Sequence, residues 1–234
     1  MNVKLLRYDP TTDAAPHYET YEVPWKEKMT LLEVINYIYE NHSPIAFDYG
    51  CRSKVCGRCA VMLDGKPVVS CFTAVKEGDA DITIEPLKGF PVVRDLIVDK
   101  SKVMDKLKTV EVRQDTGLVY EDIVATMDPA VYAKIEALQW CAKCLSCVSV
   151  CPIINTMKDL EKYSGPATMV AIGLRFYDPN DEADRVLQAV NEGLFECSMC
   201  GLCSQVCPSN IDHLSVFSDL RAAAEERGLK PKVS

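Results

Sequence analysis

The chain has 234 residues, of which 48% are hydrophobic and 26% charged, a composition typical of a globular rather than a disordered protein. The 34 Asp and Glu residues outnumber the 26 Lys and Arg residues, and the resulting net charge of −8 argues against nucleic acid as a partner. No apolar run reaches the roughly 18 residues of a membrane span. Since the N-terminal segment also lacks the apolar region and cleavage site of a secretion signal, a cytoplasmic location is expected.

The first hundred residues are predicted to be rich in β-strands, with one helix. Alternation of apolar and polar residues predicts a hairpin formed by Val3–Arg7 and Tyr18–Val23. Thr30 and Glu33 have the spacing of a capping box, which predicts a helix over Leu31–Tyr39 that ends within the next few residues.

A second hairpin is predicted from two short apolar segments, Ala60–Leu63 and Val68–Phe72, on either side of an Asp64-Gly65 turn. Ile82–Glu85 is the expected closing strand. With cysteines in the loop after the helix, this order is typical of a small β-grasp ferredoxin domain over residues 1–100. We therefore expect an α+β protein whose N-terminal domain is of this kind.

The rest of the chain is predicted to be helical. Residues 101–129 are expected to form a connector, in which a lysine-rich stretch is most simply a solvated helix face. An all-α domain is expected over residues 130–234. Its predicted helices are Val131–Trp140, Ala167–Arg175, Glu182–Glu192 and Leu214–Glu226.

Twelve cysteines fall into three groups of four, and none is left over. The first group has the spacing C-x4-C-x2-C-x11-C and consists of Cys51, Cys56, Cys59 and Cys71. The other two groups share the spacing C-x2-C-x2-C-x3-C followed by proline, and they form an internal repeat. They consist of Cys141, Cys144, Cys147 and Cys151, and of Cys197, Cys200, Cys203 and Cys207.

Disulfides and structural zinc are the alternatives to iron–sulfur ligation. Disulfides are disfavoured in a chain expected in a reducing compartment, and CxxC pairs close almost no loop. Paired CxxC motifs hold zinc in many proteins, which keeps a zinc-binding interaction module as a remote alternative. Zinc does not explain the third cysteine of each run or the proline that follows the fourth. The iron–sulfur interpretation explains all twelve, because the first spacing is typical of plant-type 2Fe–2S sites and the others of bacterial 4Fe–4S sites.

In the bacterial spacing, three cysteines of a run hold one cluster and the fourth holds the other cluster. The two predicted 4Fe–4S ligand sets are therefore crossed. One consists of Cys141, Cys144, Cys147 and Cys207, and the other of Cys151, Cys197, Cys200 and Cys203. The 2Fe–2S ligands are the first group of cysteines, where Gly50 and Gly57 are expected to let the backbone wrap closely.

These motifs resemble those of the iron–sulfur subunit of the succinate dehydrogenase and fumarate reductase family. The resemblance covers nearly the whole chain and rests on YGCRSKVCGRCAVMLDGKPVVSC, PVVRDLIVD, WCAKCLSCVSVCP, the Gly165-Pro166-Ala167 helix start and CPSNIDHLSVFSDLR. It implies an electron-transfer subunit without a catalytic site of its own, which relays electrons between a FAD flavoprotein subunit and a second redox partner. That partner would be a membrane anchor, a cysteine-rich subunit or a soluble carrier, and an anchor would place the chain at the inner face of the membrane.

Two departures from the family pattern bear on the partners. Many members have a non-ligand at the position of Cys200 and hold a three-iron cluster there, whereas Cys200 completes a 4Fe–4S set here. Quinone-reducing members carry tryptophans after the Cys-Pro pair, and residues 153–157 contain none. We therefore expect the surface around Cys151, Ile154 and Cys203 to dock another redox protein. The same chain of clusters would also suit a flavoprotein for a different small organic acid, or thiol-driven fumarate reduction.

Arg52, Lys54 and Arg58 crowd the first cysteine group. Solvated surface charge is the simplest interpretation of these residues. The alternatives are a raised cluster potential or docking of an acidic flavoprotein face. No GxGxxG or GxxxxGK[ST] motif is present, so FAD is expected on the partner subunit.

Overall fold

The computed structural model describes residues 1–76, 78, 81–114 and 127–230. The chain divides into two compact units. The first contains Met1–Lys100 and Ala142–Val150, and the second contains Ser101–Cys141 and Cys151–Ser234. The segment Ala142–Val150, which carries two cysteines of the second group, thus belongs to the same unit as the first group.

The first unit is built on a mixed five-stranded sheet in the order β2-β1-β5-β3-β4. Strand β1 pairs parallel with β5, while β1 with β2, β3 with β4, and β3 with β5 are antiparallel. These strands are β1 (Asn2–Arg7), β2 (His17–Glu22), β3 (Ala60–Leu63), β4 (Lys66–Val69) and β5 (Asp81–Glu85). A separate antiparallel pair is formed by β6 (Val92–Arg94) and β7 (Ile97–Val98).

Nine helices lie within the described residues, of which α1 and α4 belong to the first unit. They are α1 (Leu31–Asn41), α2 (Ser101–Glu111), α3 (Pro129–Gln139), α4 (Ser146–Ser149), α5 (Pro152–Met157), α6 (Pro166–Phe176), α7 (Arg185–Asn191), α8 (Leu202–Gln205) and α9 (His213–Glu226). The predicted α+β class, with strands first and helices after, is confirmed. In the part of the chain that is described, no helix has the length and apolar character needed to cross a membrane.

Helix α1 begins with the predicted capping box. The Thr30 hydroxyl accepts a hydrogen bond from the Glu33 amide at 3.3 Å, and the Glu33 carboxylate accepts one from the Thr30 amide at 2.7 Å. The helix buries one face in the core of the first unit, against side chains from the sheet such as Leu5 and Ile84. That core fixes the end of α1, after which the first cysteine loop begins.

The second hairpin turns at Asp64-Gly65 as predicted, but the expected strand over Val68–Phe72 is wrong at its end. Strand β4 stops at Val69, and Ser70–Phe72 form a 3-10 turn. The Ser70 amide bonds to the Cys59 carbonyl at 3.1 Å, and the Thr73 hydroxyl bonds to the Val69 carbonyl at 2.9 Å. These bonds end the strand and turn the chain at Cys71, which is buried.

Helix α6 is the centre of the second unit, and its residues from Pro166 to Gly173 are all buried. It packs against α2, α3, α7 and α9. A Cβ added at Gly173 would lie 2.3 Å from Val216 Cγ1, so the absence of a side chain lets α6 and α9 approach closely. The apolar helix start identified in the sequence thus becomes the core of this unit.

Part of the expected connector forms helix α2, whose Val103, Leu107 and Val110 are buried. The Lys106 ammonium pairs with Glu161 at 3.0 Å, while the stripe of three apolar residues faces the core. The end of α2 is bound by Arg185, which donates to the Val110 carbonyl at 3.0 Å. This apolar stripe is short, so the sequence pattern alone did not indicate it.

Helix α7 begins later than the predicted Glu182. The Asp184 carboxylate accepts a hydrogen bond from the Leu187 amide at 2.9 Å and caps the helix, which therefore starts at Arg185. Asp181 instead forms a buried ion pair with Arg185 at 2.8 Å. The preceding residues are thus held outside the helix by their own side-chain contacts.

Candidate metal centres

The loop that carries the first cysteine group surrounds Cys51 with backbone donors. The amides of Ser53, Val55 and Cys56 lie 3.3, 3.4 and 3.3 Å from Cys51 Sγ. The Cys51 amide in turn lies 3.4 Å from Cys56 Sγ. These hydrogen bonds, those from Ser53 and Cys56 first, lower the pKa of Cys51 to about 7. The loop is therefore preorganised to hold negative charge on sulfur before any metal binds.

Left-handed residues make this convergence of amides possible. Arg52, Lys54 and Gly57 have φ values of 54°, 62° and 63°. A Cβ added at Gly57 would lie 2.3 Å from the Ala142 carbonyl oxygen and 2.7 Å from the Cys144 amide nitrogen. Gly57 thus allows a close backbone approach, but its neighbour there is the second cysteine run, whereas the sequence suggested that the glycine makes room for the cluster. At Gly50 a Cβ would be in ordinary contact, 3.5 Å from Cys56 Sγ, so that glycine is not required for space.

The other two cysteines of the first group are buried, while Cys51 is exposed and Cys56 half-buried. Burial raises the pKa of Cys71 to about 11, and the neighbouring Cys59 adds to the effect. They lie in an apolar cluster that also contains Leu32, Ala60, Met62, Val69, Leu87, Ala142 and Cys144. On this loop, Cys59 and Cys71 therefore lie in the apolar interior, while Cys51 is open to solvent.

Around the open side lie exposed apolar side chains and cations. Val55 is 60% exposed and Phe72 is 63% exposed. The Lys54 ammonium lies 4.6 Å from the centre of the Phe72 ring, and the Arg52 guanidinium lies 4.9 Å from that of Tyr49. The side chains next to Cys51 thus form a surface that is apolar and positively charged.

The two bacterial-type cysteine runs have the same local backbone conformation. Two residues after the first cysteine of each run, Lys143 and Met199 are left-handed, with φ values of 51° and 55°. Two residues later, Leu145 and Gly201 are left-handed as well, at 65° and 77°. A one-turn helix follows in each case, α4 and α8. Left-handed non-glycine residues cost of order 1–3 kcal/mol each and gather at functional sites, so this repeated strain indicates a shared task.

In the second unit, one predicted ligand set lines a small open cavity. The cavity is lined by Cys151, Pro152, Ile153, Tyr163, Pro166, Cys197, Ser198, Cys200, Gly201, Leu202, Cys203, Leu214 and Phe217. Cys200 is exposed, whereas Cys151 and Cys203 are buried. Burial raises the pKa of Cys151 and that of Cys203, the latter to about 11. The structure thus brings the fourth cysteine of one run together with the first three of the next.

Two further side chains of this site were not singled out from the sequence. Arg221 of α9 donates to the Cys197 carbonyl at 2.6 Å and to the Leu194 carbonyl at 3.1 Å, which holds the start of the cysteine loop. Tyr163 is buried and lines the cavity, and its hydroxyl makes no hydrogen bond within the described structure. An apolar cavity with four thiols and an unpartnered donor fits a cluster that carries inorganic sulfide.

The remaining predicted set is divided between the units. Cys144 and Cys147 are buried in the first unit, and Cys141 and Cys207 are half-buried in the second. In the second unit, the Ser209 hydroxyl donates to the Trp140 carbonyl at 2.7 Å and so joins the segments of Cys141 and Cys207. Among the described residues, no three His, Cys, Asp or Glu side chains are grouped around one metal ion. A cluster does not require such a group, because its protein ligands bind different irons.

His213, which follows the last cysteine run, has a structural place. Its side chain is buried, its Nδ1 lies 3.0 Å from the Ile211 carbonyl, and its ring meets that of Phe217 edge-on. Burial lowers the pKa of His213. The neutral imidazole therefore begins α9 as a packed residue rather than as an exposed charge.

Comparison with known proteins agrees with the two predicted cluster types. A family profile described as "2Fe-2S iron-sulfur cluster binding domain" matches residues 2–105, and one described as "4Fe-4S dicluster domain" matches residues 137–211. The chain is 32% identical to a "Fumarate reductase iron-sulfur subunit" of Mycobacterium tuberculosis, over 97% of this chain and 94% of that protein.

Two other comparisons differ in what they cover. The chain is 37% identical to a subunit of "Fumarate reductase (CoM/CoB)" from Methanothermobacter marburgensis, over 99% of this chain but only 46% of that protein, so it spans about half of that relative's length. A chain of the structure "Mycobacterium smegmatis Sdh1 complex in the apo form" superimposes with a TM-score of 0.88 at 23% identity, and the match covers 99% of this chain and 98% of that one. At that identity the likeness concerns the fold.

Proposed function

Because the chain belongs to the family of iron–sulfur subunits of fumarate reductases and succinate dehydrogenases, we propose that it relays electrons between a FAD flavoprotein subunit and a second redox partner. The observation that carries this proposal is the cavity in which Cys151 joins Cys197, Cys200 and Cys203. One 2Fe–2S and two 4Fe–4S clusters would supply one-electron chemistry when bound. The chain itself would hold no catalytic site for a dicarboxylate.

The proposed ligand sets assign all twelve cysteines. Residues 1–100 would hold the 2Fe–2S ligands and residues 130–234 the others, with 101–129 between them. The 2Fe–2S ligands would be Cys51, Cys56, Cys59 and Cys71. The 4Fe–4S ligands would be Cys141, Cys144, Cys147 and Cys207 for one cluster, and Cys151, Cys197, Cys200 and Cys203 for the other.

The protein prepares these thiols in two ways. At Cys51, backbone amides stabilise the thiolate and lower its pKa to about 7. At Cys71 and Cys203, burial raises the pKa of each thiol to about 11, so that a free thiolate is disfavoured there. A coordinating metal deprotonates such a thiol outright. The thiolates of Cys71 and Cys203 would thus be stable when they bind a metal but unfavourable as free anions.

The open side of the first site suits the flavoprotein. Arg58 is paired with Asp48 at 2.8 Å, so Arg52 and Lys54 are the cations offered to a partner beside exposed Phe72. Cations around an apolar patch are complementary to a partner surface that carries carboxylates. The opposite charges would steer the two proteins together as they associate. Docking there would place the flavin next to the exposed Cys51 corner.

The second partner would meet the other 4Fe–4S site at Cys200. Within the surface expected around Cys151, Ile154 and Cys203, these three side chains are themselves buried, so their neighbours would make the contact. The exposed residues of the cavity wall are Pro152, Ser198, Cys200 and Leu202, of which Leu202 is 39% exposed. We propose that a redox protein docks at this opening, since residues 153–157 include no aromatic side chain for a quinone slot.

Thiol-driven fumarate reduction is a second candidate, favoured by the CoM/CoB fumarate reductase among the relatives. In that version the second partner would be a cysteine-rich subunit or domain that passes on electrons from thiols. A membrane anchor is the alternative partner, which would place this chain at the inner face of the membrane. The two versions differ in the electron donor that supports turnover.

The test begins with anaerobically purified chain. Iron and acid-labile sulfide assays should give about ten irons per chain, with EPR signals of both cluster types after reduction. Stoichiometric zinc without labile sulfide would contradict the proposal and favour a zinc-binding module. The same assays on a Cys56→Ser variant should show loss of the 2Fe–2S signal alone.

A reconstitution experiment addresses the partners. The chain alone should not reduce fumarate with an artificial donor, because hydride chemistry at a dicarboxylate needs a flavin. Activity should appear when a co-purifying flavoprotein is added. Fumarate turnover by the isolated chain would refute the assignment, and the choice between thiols and a reduced quinone as donor would identify the second partner.

A further inference from the structure

Tyr163 carries a polar group that the protein itself leaves unpartnered. The side chain is 1% exposed, and its hydroxyl makes no hydrogen bond within the described structure. Buried hydroxyls normally have a partner, because an unmade hydrogen bond costs the full desolvation of the group. Since this hydroxyl belongs to the cavity lined by Cys151 and Cys197, its partner is to be sought there.

The backbone holds Tyr163 firmly in this place. Gly193 is left-handed at 85°, and a Cβ added to it would lie 2.1 Å from the Lys162 carbonyl oxygen and 2.9 Å from Tyr163 Cα. The next residue, Ser164, bonds to the Glu192 carbonyl through its amide at 3.1 Å and its hydroxyl at 3.2 Å. The tyrosine is thus clamped between the turn at Gly193 and the start of α6.

The Tyr163 hydroxyl is a hydrogen-bond donor at neutral pH, because a phenol keeps its proton there. The sulfurs of Cys151 and Cys197, which line the same cavity, are the acceptors in its surroundings.

We propose that, in the cluster-loaded protein, the Tyr163 hydroxyl donates a hydrogen bond to the Cys197 sulfur and raises the reduction potential of the 4Fe–4S cluster held by Cys151, Cys197, Cys200 and Cys203. The inference rests on the proposed function, because it requires that cluster. Hydrogen bonds to cluster sulfurs are one of the means by which proteins set the potential. The bond favours the reduced state, because the sulfur ligand carries more negative charge after reduction.

The test compares Tyr163→Phe with a matched control. Tyr177→Phe removes the same atom from the same unit, but the Tyr177 hydroxyl donates to Asp219 at 2.6 Å and does not line the cavity. In potentiometric EPR titrations of the cluster-loaded chain, Tyr163→Phe should favour the oxidised form of one 4Fe–4S cluster by up to tenfold. For a one-electron couple that is a fall of about 59 mV. The other two potentials should not move, and Tyr177→Phe should leave all three unchanged.

A second substitution reverses the sign. Incorporation of 3-fluorotyrosine at position 163 makes the phenol a stronger donor and should raise the same potential. This variant retains the hydroxyl, so it also decides the matter if Tyr163→Phe fails to assemble its cluster. Unchanged potentials in the variants that carry the cluster would overturn the inference and leave the proposed function standing. Wild-type protein without a 4Fe–4S signal would overturn the proposed function itself.

Discussion

Replacing Gly57 by alanine tests whether the close backbone approach at the first cysteine loop is required. Two costs add in this variant. An L-residue at a φ of 63° loses about 1–2 kcal/mol, and an added methyl group in a space with no room costs about 1–3 kcal/mol more. The second cost applies because the new Cβ would lie 2.3 Å from the Ala142 carbonyl oxygen and 2.7 Å from the Cys144 amide, both backbone atoms. Gly57→Ala should therefore lower the free energy of unfolding by about 2–5 kcal/mol.

Gly65→Ala is the matched control in the same unit. Gly65 has a φ of 76°, but a Cβ there would meet nothing within 4 Å, so only the conformational cost of about 1–2 kcal/mol remains. Urea unfolding of both variants under anaerobic conditions, followed by circular dichroism, measures the difference directly. Equal losses in the two variants would refute the steric argument. A greater loss at Gly57, with a disturbed 4Fe–4S signal from the displaced Cys144, would support it.

Three further outcomes are expected. Cys200→Ser should leave three protein ligands at its cluster, so that a three-iron EPR signal appears after oxidation while the 2Fe–2S signal is unchanged; a normal four-iron signal would contradict the ligand set. Thr30→Ala should cost about 1 kcal/mol of unfolding free energy, because it removes the bond to the Glu33 amide, whereas Thr30→Ser should retain it. Asp184→Asn retains the cap of α7 but removes the pair with Arg227, which lies at 2.6 Å on the surface and should contribute less than about 1 kcal/mol at pH 7. That pair, with the Leu187 amide, lowers the pKa of Asp184 to about 2, from about 3.9 in the unfolded chain. The difference in unfolding free energy between Asp184→Asn and wild type should therefore be full above about pH 4 and vanish as the pH falls through 2. Acid-unfolding curves of the two proteins measure it.

Local features of this protein were predictable wherever neighbouring residues decide the conformation. The Thr30 and Glu33 capping box lies within one turn of helix, and the Asp64-Gly65 turn joins adjacent strands, so short-range hydrogen bonds and allowed backbone angles suffice. The cysteine spacings are local features as well, because cysteines of one loop that bind the same cluster must lie close together in the sequence. The ligand sets themselves stay a prediction until iron is measured.

The tertiary structure decided what depends on residues far apart in the chain. The chain turns at Cys71 because Ser70 bonds to Cys59, and α2 forms a packed helix because its short apolar stripe meets α6. Sequence spacing also does not show which side chains a fold leaves without a partner. Tyr163 becomes a donor without a partner among the described residues, in the cavity that Cys197 also lines, because Gly193, thirty residues later in the chain, lets the backbone close against it. Burial and hydrogen bonding are properties of the assembled fold, and they set the charge and the potential that each site can support.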